Sequence, residues 1–170
     1  MAENTSFEPD WVSPPGETIE DILEERGWTQ AELAARTGLS RKHVNDLVKA
    51  RATLSAETAL QLSAVLGSTP EFWLRLEAGY RARVAVLQAR DARQGDVAWL
   101  DELPIAHMVK CGWIERFKDK ADQVLECLRF FGVATVAAWR GIYEEPLAAF
   151  RASDKFEKKA GAVAAWLRQA

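Results

Sequence analysis

Residues Thr29 to Leu47 constrain this chain more than any other stretch. Two short helical patterns meet at Gly38, and the second opens with Ser40, Arg41, Lys42 and His43. Gly38 stands where the first helix must end in a left-handed turn, a conformation that costs a residue with a Cβ about 1–2 kcal/mol. Leu39 then turns inward and Ser40 starts the next helix. Trp28-Thr29, Leu39-Ser40 and Leu54-Ser55 repeat one design: an apolar residue, then a hydroxyl N-cap that satisfies an unpaired backbone N–H of the first turn. Trp28 is placed to pack on Leu33, and Leu39 on Val44, as hydrophobic staples; Thr29 and Glu32 have the spacing of a capping box. Punctuation this regular predicts a compact helical domain with short connections.

Around that segment the chain divides into recognisable parts. Residues 1–16 carry Pro9, Pro14, Pro15 and Gly16 among acids and are expected to form an irregular arm, with Phe7 and Trp11 free to dock. From Thr18 the pattern is helical, with Ile19, Ile22 and Leu23 on one face and a stop at Gly27. Gly67 ends a fourth helix. Thr69-Pro70 opens a fifth, on which Trp73, Leu76, Tyr80, Val84 and Leu87 form an apolar stripe at intervals of three and four. Residues 17–90 are thus expected to form one helical domain, 91–98 a linker, and 99–170 a smaller helical region. In that region Trp99, Leu100 and Leu103 lead into Pro104, and Met108 leads to Gly112. A helix through Val124 and Phe131 stops at Gly132, and the last runs through Phe156, Ala160, Val163 and Leu167 with Ser153 as its cap. No strand alternation is sustained. The expected class is all-α.

The second helix of the central pair carries the chemistry. Val44 and Leu47 face inward at i and i+3, and Ala34 leaves room where two crossing helices approach most closely. Arg41, Lys42, His43, Asn45, Asp46 and Lys49 therefore face outward, a set able to meet base edges and phosphates in a DNA major groove. Arg41, near the helix N-terminus, is the first choice for a bidentate contact with guanine, with Lys42 beside it. Asn45 suits adenine or a phosphate, and Asp46 a cytosine amine or the orientation of a basic neighbour. Gln30, Ser40, Lys49 and Arg51 are read as phosphate-positioning residues, which fix register without reading sequence.

Other chemistries fare poorly. The net charge of −3 and pI near 5.5 exclude a uniformly basic coat, though not one basic face. Cys111 and Cys127 make no disulfide framework, and no apolar run approaches the roughly 20 residues of a membrane span, so a cytoplasmic setting is expected. His107 and Cys111 are four apart, yet a structural zinc site wants four ligands and only Cys127 could join them, so a pair beside Trp113 is the better account. No cofactor, metal or catalytic constellation is expected. The stripe on the fifth helix has two readings. Trp73 and Leu76 are assigned to the core, while Tyr80, Val84 and Leu87 remain open between core and a dimer or partner interface. Trp139, Tyr143, Leu147 and Phe150 are read first as aromatic core and second as a groove for a partner.

The order Pro14 to Ile19 (Pro-Pro-Gly-Glu-Thr-Ile), Leu23 to Gly27 and Thr29 to Ala34, followed by Leu54 to Leu62 and Pro70 to Leu74, resembles the HigA-type antitoxins of the XRE family. The likeness runs from about Pro14 to Tyr80. It implies a five-helix λ-repressor-like domain, a homodimer, binding to double-stranded operator DNA in repression of its own operon, and neutralisation of a RelE/HigB-like toxin. Such a dimer sets its recognition helices about 34–36 Å apart on successive major-groove faces. The family usually has Asn-Gly after the recognition helix, where this chain has Lys49-Ala50. Leu103 to Ile114, Leu128 to Val133 and Ala165 to Arg168 are similar to the segment that joins XRE domains to ImmA/IrrE-type zinc peptidases. The peptidase's His-Glu-x-x-His helix is absent, which implies a natural short form or a fragment that stops before it. The alternative to an antitoxin is an XRE regulator without a toxin, its C-terminal half receiving a signal or a peptidase.

Overall fold

The computed structural model describes residues 13–145 and 160–169, which are helical with no strand among them. Two compact units divide between Val86 and Leu87. The first holds α1 (Pro15–Arg26), α2 (Gln30–Thr37), α3 (Arg41–Val48), α4 (Ala56–Leu66) and the start of α5 (Pro70–Gln94). Thr29, Ser40 and Ser55 cap α2, α3 and α4, each hydroxyl accepting an N–H three residues on. Gly27 and Gly38 close α1 and α2 in the left-handed conformation. Trp28 and Leu39 lie half-buried against a core of Ile19, Leu23, Leu33, Val44, Leu62 and Trp73. The Trp73 indole N–H donates to the Gly67 carbonyl at 3.1 Å. Arg26 joins α1 to α4, donating to the Val65 and Leu66 carbonyls at 3.0 and 2.6 Å where α4 runs out of its own N–H groups.

The N-terminal expectation needs correcting. Pro14 is the N-cap of α1 and Pro15 its first residue, a position where a missing N–H costs nothing. Gly16 is buried inside the helix and is no loop residue. A Cβ there would run into the backbone of Val48, at the end of α3, so the glycine permits the closest approach between α1 and α3.

The second unit follows the remainder of α5. It comprises a 3-10 turn (Val97–Glu102), α6 (Ile105–Lys110), α7 (Lys120–Phe131), α8 (Val136–Trp139) with a π-type turn (Arg140–Glu144), and α9 (Ala160–Gln169). The segment 91–98, expected as a linker, is mostly structured, because α5 continues to Gln94 and the 3-10 turn begins at Val97. Trp99, Met108, Val124, Cys127, Phe131 and Trp139 form the core. Trp139 is buried in this core, edge-on to Trp99 at 5.3 Å, whereas Tyr143 is half-buried and packs on Phe131 at 5.3 Å. Gly161 seats α9 against the Glu102 carbonyl, and Arg168 donates to the Phe130 carbonyl at 3.0 Å. Phe7, Trp11, Leu147, Phe150, Ser153 and Phe156 lie outside the described residues. Among the described residues no helix is long and apolar enough to cross a membrane.

Candidate nucleic-acid interface

Alternation between buried and free positions aims α3. Val44, Leu47 and Val48 are buried against α1 and α2, which leaves one flank outward. Arg41 and Lys42 are exposed in its first turn, Lys49 is exposed at its end, and Arg51 is exposed in the loop beyond. His43, Asn45 and Asp46 are half-buried, as is Gln30 at the first position of α2. Ser40 is exposed, but its Oγ already accepts the His43 N–H at 3.1 Å, so only its O–H remains to donate to a phosphate.

Charge separates these cations from their neighbours. Arg36, two residues before Gly38, is tied to Glu32 at 2.7 Å and lies over the Trp28 ring at 4.0 Å. Among the described residues, none of Arg41, Lys42, Lys49 and Arg51 is held in an ion pair. Asp46 uses its backbone, not its carboxylate: its carbonyl accepts the N–H groups of Arg51 at 2.7 Å and Ala52 at 3.0 Å. Among the described residues its carboxylate is in no ion pair with a basic neighbour.

The end of α3 resolves the Lys49-Ala50 departure. Lys49 is the C-cap, and Ala50 takes φ 54, the left-handed conformation that glycine adopts more cheaply. Relief of about 1–2 kcal/mol of local strain, set against a more flexible unfolded chain, predicts that Ala50→Gly raises stability by about 0.5 kcal/mol. A higher urea midpoint with unchanged slope is the expected observation.

Two residues that sequence reading passed over hold this loop. Arg81, on α5, donates to the carbonyls of Ala50 at 3.3 Å and Ala52 at 3.0 Å, while its Nε bonds Glu77 at 2.7 Å. The Glu-to-Arg spacing of four is visible in the sequence as a helix-face ion pair. Its reach to residues some thirty positions earlier is tertiary and leaves no local trace. On the same helix Trp73 is fully buried and Leu76 packs on the core, whereas Tyr80, Val84 and Leu87 are half-buried. His107 and Cys111 are exposed, 3.5 Å apart, with His107 edge-on to Trp113; the third candidate ligand, Cys127, is wholly inside the core.

Two capped helices about a left-handed glycine, the second with an unpaired basic flank, define a helix-turn-helix unit of the DNA-binding class. The helix-turn-helix family pattern matches residues 19–74. Antitoxin HigA-1 of Vibrio cholerae is 40% identical over 57 residues, 34% of this chain and 53% of that protein. The HTH-type transcriptional regulator YddM of Escherichia coli is 33% identical over 63 residues, 37% of this chain and 67% of that protein. This chain therefore belongs to the helix-turn-helix family of DNA-binding regulators, of the XRE type. It spans about half to two thirds of the length of these curated relatives. Among solved structures, antitoxin GraA is 38% identical with a TM-score of 0.45, covering 49% of this chain and 90% of that one. Pseudomonas aeruginosa antitoxin HigA, solved with the higBA promoter, is 28% identical with a TM-score of 0.45, covering 46% and 86%.

Proposed function

We propose that this protein is a DNA-binding antitoxin that represses its own operon and neutralises a RelE/HigB-like toxin by direct binding. The observation that carries the DNA half is the flank of α3, where Arg41, Lys42 and Lys49 stand exposed without ion-pair partners. Likeness to an antitoxin of Vibrio cholerae over the same kind of domain supports the toxin half. In this reading Arg41 and Lys42 read bases, Asn45 and His43 assist, and Gln30, Ser40, Lys49 and Arg51 hold the phosphate backbone. Two copies bind a palindromic operator, with Tyr80, Val84 and Leu87 as the candidate contact between them.

The test is fluorescence anisotropy of the full chain on a duplex of about 30 base pairs from just upstream of its own coding sequence, long enough for two half-sites. It is run with and without the product of the adjacent short reading frame. Tight operator binding, with a stable complex formed with that product, is the expected result. Operator binding without any such complex favours a regulator lacking a toxin, the reading that likeness to YddM and the separately cored second unit support. Absence of binding to any duplex removes the DNA-binding reading altogether.

A further inference from the structure

Arg51 is exposed, yet the backbone on both sides of it is bonded. Its own N–H and that of Ala52 share the Asp46 carbonyl, at 2.7 and 3.0 Å. The carbonyls on either side, those of Ala50 and Ala52, accept from a single guanidinium nitrogen of Arg81. Arg81 is in turn held by Glu77, which is only 6% exposed. A buried carboxylate deprived of its cation is strongly unfavourable, so Glu77 keeps Arg81 in one place. A loop that carries left-handed Ala50 would otherwise have cheaper conformations to visit.

We propose that the Glu77–Arg81 pair of α5 is a positioning device for DNA binding: it holds loop 49–52 so that Arg51 meets a backbone phosphate in register with α3. This rests on the DNA-binding reading above. Arg81 acts through the two carbonyls and touches no phosphate. A fixed donor reaches its phosphate with less ordering on binding than a loose loop does, so the clamp contributes to affinity for any duplex and to no base preference.

A double-mutant cycle on the full chain tests this, using a random-sequence duplex of about 30 base pairs over a salt series. Arg51→Ala and Arg81→Ala are each expected to weaken binding roughly three- to fivefold and to flatten the salt slope by about one unit. The double variant loses no more than either single change. Arg81→Lys keeps a charge opposite Glu77 without the planar fork and gives an intermediate loss; it replaces the alanine variant in the cycle if that one is too unstable to purify. Without DNA, the Arg51 and Ala52 amides exchange faster in Arg81→Ala or Arg81→Lys, while the Leu33 amide of α2 does not. Additive losses in the double variant, about two units of slope, mean that Arg81 contacts phosphate itself and overturn the proposal, as does unchanged exchange at Arg51 and Ala52. A parent chain that binds no duplex overturns the DNA-binding reading and this one with it.

Discussion

Gly16→Ala is expected to destabilise the N-terminal unit by about 3 kcal/mol, toward the upper end of what overpacking costs. The new methyl meets Val48 backbone and not a flexible side-chain tip, so only a shift of α1 against α3 can admit it. That shift would pull the end of α3 out of place, and operator binding should fail at temperatures where the parent still binds. Gly79 supplies the internal control. It lies within α5 with open space where its Cβ would stand, so Gly79→Ala should stabilise by about 0.5–1 kcal/mol through helix propensity alone. Urea unfolding of both variants reads the two signs. Equal stabilities for Gly16→Ala and the parent would show that α1 and α3 are not in backbone contact.

Arg41→Ala should cost roughly 1–3 kcal/mol on the native operator and relax preference at one base position, with little change on scrambled DNA. The expectation rests on placement. Arg41 is the first residue of α3, exposed, with no carboxylate of the described residues paired to it. Anisotropy against a panel of single-base operator variants measures it. An unchanged binding curve removes Arg41 from base readout and moves that role to Lys42 or Asn45.

What was legible in the sequence was local chemistry. Thr29, Ser40 and Ser55 announce helix starts because a cap needs only its own next three residues, and Gly27, Gly38 and Gly132 announce stops because a left-handed turn disfavours any Cβ. The inward Val44 and Leu47, and the outward Arg41 and Lys42, follow from helical period alone. What failed was information carried by neighbours distant in the chain. Pro14-Pro15-Gly16 has the composition of a loop, yet the first proline caps, the second starts the helix, and the glycine answers to Val48. Asp91 to Gly95 likewise has the polarity of a linker, but α5 runs through most of it. For the interface, the exposed cations could be named from spacing, whereas the Arg81 bonds that fix their loop depend on a fold no window of sequence contains. The half-burial of His43, Asn45 and Asp46 was hidden for the same reason.

Cys127 gives the C-terminal unit a private clock. Burial pushes its thiol up to about 11, so the reactive thiolate is scarce while the core is closed. As the pH rises from 9 toward 11 an unfolded chain sheds this proton and the folded one keeps it, so the unit loses stability across that window. Both cysteines of the chain follow residue 86, and Cys111 stands exposed, ready to react at once. A slow second equivalent of thiol modification therefore times the breathing of the C-terminal unit, with no signal from the cysteine-free N-terminal one. If a toxin docks on that unit, the lengthening of this one interval would register its arrival.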